Sequence, residues 1–101
     1  MSISTNLSSL QANQVFMNTN ANNIANVNTD GFIPTDTRMS ENKSSVSATT
    51  RLVDDNGSLK SQTDLTKELT DQVVISSVEE ANVSAIKTQD EMFGTLLDIK
   101  A

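Results

Sequence analysis

Apolar side chains recur at Ile3, Leu7, Leu10, Met17, Ala21 and Ile24, in alternating steps of four and three with Gln14 as the one polar member. That spacing is the a/d stripe of a heptad and predicts an α-helix from residue 3 to about 28. Ala12, Val15, Phe16 and Ala25 lie off the stripe and widen the apolar surface. The remaining positions are Asn, Ser, Thr and Gln, and no charged side chain occurs between Met1 and Thr29. A water-facing helix normally carries a charged face. A neutral polar face fits a helix contacted on several sides by neighbouring subunits, where desolvating charge is costly and amides can bond across interfaces. Rich in Asn, Ser and Thr, such a helix is marginal alone and is expected to order on assembly.

The stripe ends in Ala21-Asn22-Asn23-Ile24-Ala25-Asn26-Val27-Asn28-Thr29-Asp30-Gly31-Phe32. Asn is a mediocre helix former because its amide competes for nearby backbone groups. Asn22, Asn23, Asn26 and Asn28 together suggest amides seeking partners that the chain alone does not supply. Gly31 fits the residue just past a helix end, where positive φ is cheap. Pro34 then blocks helix and biases Ile33 toward extended backbone. Glu41 to Thr50 reads as a polar, Ser-rich linker. Arg51-Leu52-Val53 and Ser58-Leu59-Lys60, on either side of Asn56-Gly57, read as a short hairpin. Asp54-Asp55-Asn56-Gly57 lacks the EF-hand spacing and is expected to be a plain turn rather than a calcium site.

From Asp64, a suitable N-cap, a single long helix is predicted over 63–100, with Glu68 near its positive end. Its apolar residues make two stripes. One holds Val74, Val78, Ala81, Ala85, Met92 and Ile99; the other holds Leu65, Leu69, Val83, Ile86, Phe93 and Leu97. One partner helix cannot hide both, so contacts within the chain and with other chains are expected. The organisation is therefore residues 1–30, an N-terminal helix with its Asn-rich motif; 31–62, a linker; and 63–101, a C-terminal helix.

Composition narrows function mainly by exclusion. The 101 residues are 36% hydrophobic and 3% aromatic, thin material for a private core. A net charge of −6 argues against nucleic acid or an anionic membrane as the main ligand. With no Cys and no His, the commonest nucleophiles, bases and transition-metal ligands are missing. No catalytic residue, cofactor or metal is expected. Met1 to Asn6 lacks the basic start and apolar run of a cleaved leader, and no stretch is apolar enough to insert in a bilayer.

The segment Ala21–Phe32 resembles the N-terminal signature of the bacterial flagellar rod and hook proteins, the axial family of the basal body. Asp64-Leu65-Thr66-Lys67-Glu68-Leu69-Thr70-Asp71 is similar to a second family segment. Glu80-Ala81-Asn82, with Ile86 through Ile99, is similar to its closing motif. This chain departs where the family usually has A-Q-R-A-Y, carrying Ile75-Ser76-Ser77-Val78-Glu79 instead, and its middle is very short, nearest in size to proximal rod members. The resemblance implies a mainly α fold: two long terminal helices paired as an antiparallel coiled coil, joined by an irregular linker with room for a short β-hairpin. It implies a structural subunit of the basal-body rod that spans the periplasm. Such a subunit is exported by the flagellar type III apparatus without a cleaved signal peptide and polymerises helically around a central channel. Its partners would be other axial proteins, itself and the export apparatus. The alternative is an accessory or adaptor of the rod or export gate using the same helices. On either reading the assembly interface is expected at Ile3, Leu7, Leu10, Met17, Ala21, Ile24, Gly31, Val74, Val78, Ala81, Ile86, Met92, Phe93 and Leu97. Asn22, Asn23, Asn26, Asn28 and Asn82 are expected to set polar register.

Overall fold

Helix α1 spans Ile3–Ala25 in a computed structural model that describes residues 3–100, with the side chains of Ile99 and Lys100 outside that description. The side chain of the expected stripe residue Ile99, and the first two residues Met1 and Ser2, therefore lie outside the described residues. Strands β1, Thr35–Glu41, and β2, Val46–Leu52, come next, and helix α2 spans Leu65–Lys100. Among the described residues the fold is thus mainly helical, with a two-stranded antiparallel hairpin between two terminal helices. It is long and thin, 67 × 22 × 14 Å.

The first helix stops at Ala25, short of the expected residue 28. The Asn22 carbonyl accepts both the Asn26 side-chain Nδ2 at 2.8 Å and the Asn26 backbone N–H at 3.2 Å, and that N–H is shared with Asn23 O at 3.3 Å. The backbone then tightens, with Val27 N bonded to Ile24 O at 3.2 Å. Gly31 does have positive φ, 77°, but it sits beyond this turn rather than at the helix end, and its N–H donates to Leu59 O at 2.8 Å. The second helix starts as expected. Asp64 Oδ1 accepts from Lys67 N at 3.2 Å, the bond of an N-cap to the third helical residue.

The hairpin is not where Asn56-Gly57 pointed. Its strands are Thr35–Glu41 and Val46–Leu52, so most of the stretch read as linker is sheet. Asn42 makes the turn: its Oδ1 accepts from the backbone N–H groups of Ser44 and Ser45 at 3.1 and 3.0 Å. The register pairs Met39 with Ala48 and Glu41 with Val46. Thr37, Met39, Val46 and Ala48 are half-buried beside exposed Arg38 and Ser47, the alternation of a strand with one covered face, while Thr35 and Asp36 at the base are both half-buried. Asn56-Gly57 remains a turn, with Gly57 at φ 82° and its N–H bonded to Asp55 Oδ1 at 2.8 Å. Bonds from Gln62 and from Gly57 hold the Asp55 carboxyl below its usual range.

An isolated two-stranded hairpin is marginal; this one lies along α1. At its tip Thr5 Oγ1 donates to Ser44 O at 3.2 Å, and Val46 N donates to Ser8 Oγ at 2.9 Å. At its base Asn23 pairs with the backbone of Thr35 in both directions, Nδ2 to O at 2.7 Å and N to Oδ1 at 3.0 Å. Lys67 Nζ reaches Asp36 at 3.3 Å and Asp71 at 2.8 Å, tying β1 to α2. Partial burial lowers the Lys67 pKa, but bonds and attraction from Asp71 and Asp36 outweigh it and leave it raised.

Candidate assembly surface

Between the two helices the chain buries amides. Along α1 the line Asn6, Ser9, Asn13, Phe16, Asn20, Asn23 follows the same four-and-three spacing as the apolar stripe, one residue out of phase with it. All but the half-buried Phe16 are buried. Each polar member meets α2 directly. Asn6 donates to Gln89 Oε1 at 3.3 Å, and Asn82 donates to Ser9 Oγ at 2.9 Å. Asn13 donates to the Ile75 carbonyl at 2.9 Å. Asn20 and Asn23 both donate to the carboxylate of Glu68, at 2.8 and 3.0 Å. The order of these contacts makes the pair antiparallel.

The apolar contribution to this seam is small. Among the described residues Ala12 and Ile75 are the buried apolar side chains of the helices, while Glu68, at 4% exposed, sits among amides with no cation beside it. Burying a carboxylate is tolerable only when its oxygens find donors, and the two asparagine amides supply them. Ile75, the first residue of the stretch that departs from the axial pattern, is the apolar plug in the middle.

None of the expected apolar interface residues of α1 is buried in the seam within the chain. Ile3 is 41% exposed and Leu7 50%, Ala21 is exposed, and Leu10, Met17 and Ile24 are half-buried. Heptad spacing identified a stripe but not what it faces. The amide line one residue away takes the inner position, because its donors would otherwise be buried without partners against the hairpin or α2. On α2, Val78 and Ile86 are half-buried toward the seam, whereas Val74, Ala81, Met92, Phe93 and Leu97 are exposed. Of the register asparagines, Asn23 and Asn82 hold the two helices together. Asn26 caps α1, Asn22 is its exposed acceptor, and Asn28 is exposed. The expectation that Asn22, Asn23, Asn26 and Asn28 seek partners outside the chain does not hold for Asn23 and Asn26, whose amides are bonded within it. Sequence reasoning missed Asn6, Ser9, Asn13, Asn20, Glu68 and Gln89; their heptad spacing was the available signal.

The second helix outruns the first. Gln89 is the contact of Asn6, yet α2 continues to Lys100, while α1 begins at Ile3, less than a turn beyond Asn6. Met92, Phe93, Leu96 and Leu97 on this overhang are each more than half exposed. Burying the part of each that is still exposed would contribute about 1–2 kcal/mol.

A family model described as flagella basal body rod protein matches residues 3–32. The likeness to that family covers less than a third of the chain. The matched segment is α1 with its Asn-capped turn as far as Phe32. A comparison of the chain with curated proteins found no match. Among the described residues no helix is long and apolar enough to cross a membrane.

Proposed function

We propose that this chain is a flagellar rod protein, a subunit that polymerises helically around the central channel of the basal-body rod after export through the type III apparatus. The supporting observation is the inverted distribution of polarity in α1. Asn6, Asn13, Asn20 and Asn23 are consumed inside the chain, while Ile3, Leu7 and Val15 are exposed and Leu10, Met17 and Ile24 are only half-buried. A monomer gains nothing from that stripe; a subunit surrounded by others buries it on assembly. The amide seam also suits a chain that must travel unfolded. Hydrogen bonds contribute about 0.5–1.5 kcal/mol net each, so the helix pair separates more readily than one closed by leucines. The interface would comprise the outward residues of α1 and the exposed apolar residues of α2, with the axial proteins next to it and further copies of itself as partners.

The test is stoichiometric. Quantitative mass spectrometry of purified hook–basal bodies should find several copies per rod, in the periplasm-spanning fraction. A chain absent from that fraction, or present once per ring position, would instead be an accessory protein of the rod or export gate.

A further inference from the structure

Asn56 is the one asparagine of the chain that is followed by glycine. Asn6, Asn13, Asn20, Asn23 and Asn82 are buried, whereas Asn56 is exposed, in the loop between β2 and α2. The next amide nitrogen can attack an asparagine side chain at Cγ and close a five-membered ring, a step favoured by proximity. A side chain on the attacking residue hinders that approach. Gly57 has none, and its surroundings are open, with nothing within 4 Å of where a Cβ would stand. Groups suited to the reaction stand around these atoms. Gly57 N donates to Asp55 Oδ1 at 2.8 Å, so a carboxylate lies within reach of the proton that has to leave. The same oxygen accepts from Gln62 Nε2 at 2.7 Å, which helps keep the carboxyl ionised. Ser58 N donates to Asn56 Oδ1 at 2.9 Å, the oxygen on which negative charge develops when Cγ is attacked.

We infer that Asn56 is a site of self-modification, converting through a succinimide with Gly57 to aspartate and isoaspartate. Gly57 N bonds to Asn56 Cγ while its proton passes to the Asp55 carboxylate, and charge gathers on Asn56 Oδ1. Collapse of the tetrahedral carbon breaks the Cγ–Nδ2 bond. Nδ2 leaves as ammonia, taking the proton back from Asp55. Water then opens the ring at either carbonyl, and nothing is oxidised or reduced. Both products place a third carboxylate beside Asp54 and Asp55, and isoaspartate adds one carbon to the main chain. The altered loop is the one that holds the turn after α1: Leu59 O accepts from Gly31 N at 2.8 Å, and Gln62 N donates to Phe32 O at 3.0 Å.

The purified full chain is held at neutral pH and physiological temperature, and peptide mapping that separates aspartate from isoaspartate follows each asparagine over time. Asn42 is the internal control. It is exposed and its Oδ1 also accepts the N–H two residues on, from Ser44 at 3.1 Å, but Lys43 stands where Asn56 has glycine. Asn56 should convert several-fold faster than Asn42, with isoaspartate among its products. Gly57→Ala should slow that conversion several-fold. Asp55→Ala should do the same, and because Asp55 is exposed the helix pair should survive the change. Gln62→Ala loosens the same turn but keeps the carboxylate, and it should slow the conversion less. Equal rates at Asn56 and Asn42, or no slowing in Gly57→Ala, would overturn the site. A rate in Asp55→Ala no slower than in Gln62→Ala would overturn the part given to Asp55.

Discussion

The side-chain nitrogen of Asn20 lies 2.8 Å from two oxygens of Glu68, the backbone carbonyl and the carboxylate Oε2. One amide thus fixes both the position of α2 and the orientation of its buried acid. Asn20→Ala leaves that carboxylate with Asn23 as its remaining bonded amide. Loss of a buried bond to a charged group costs about 1.5–3 kcal/mol, so helicity measured by circular dichroism should fall at fixed concentration. Replacing both partners, Asn20→Leu with Glu68→Met, should recover part of the loss, because apolar substitutes leave no carboxylate to desolvate.

Asn23 joins three elements through a single amide. It bonds Glu68 on α2 and both backbone groups of Thr35 at the start of β1. Asn23→Asp is isosteric but removes the donors and sets a second carboxylate against Glu68. It should destabilise the hairpin more than Asn23→Ala, which leaves unmet groups worth about 1–3 kcal/mol. Hydrogen exchange at the Thr35 amide is the direct readout: protection should fall in both variants, and further in the aspartate one.

Two glycines should respond in opposite directions. A Cβ at Gly31 would meet nothing within 4 Å, yet φ is +77°, so Gly31→Ala should cost about 1 kcal/mol from backbone strain alone. Gly94 lies inside α2 with similar space around it. Gly94→Ala should raise helicity, by about 1 kcal/mol at that site. Thermal melts of the two variants beside the parent would check both signs.

Lys67 supplies a small alkaline dependence. Burial pushes its pKa down, but the bonds and attraction of Asp71 and Asp36 together outweigh that and raise it above the ordinary 10.5. A raised base contributes stability that is fully present below its unfolded pKa and lost as pH climbs through the folded one. Stability should hold at neutral pH and begin to fall above 10.5. With the side chain 48% exposed, the screened contribution is about 0.5 kcal/mol. Lys67→Met should flatten that alkaline limb in a pH series of denaturation curves.

The two helices were legible in the sequence because their signals are local: apolar period, the Asp64 cap, Pro34 as a stop. The partner of each face was not. Asn13 bonds a carbonyl 62 residues away and Asn20 one 48 residues away, and nothing in the spacing of asparagines says whether a distant acceptor exists. Two heptad lines interleave on α1, and the usual rule that apolar faces go inside selects the wrong one as the seam. The hairpin has a signal of its own in the alternation of Thr35, Thr37 and Met39, and of Val46 and Ala48. Serine content masks it, as does Asn56-Gly57, a stronger turn pattern that here connects no strands.

The central claim is that the amide seam alone does not hold the helix pair firmly and that burial of the outward stripe completes it. Far-UV circular dichroism of the purified chain across a wide concentration series, with sedimentation at each point, tests this most directly. Helicity should be low and melting broad for the dilute monomer, and both should sharpen as larger species appear. A dilute monomer with full helicity and a steep, concentration-independent melt would contradict it.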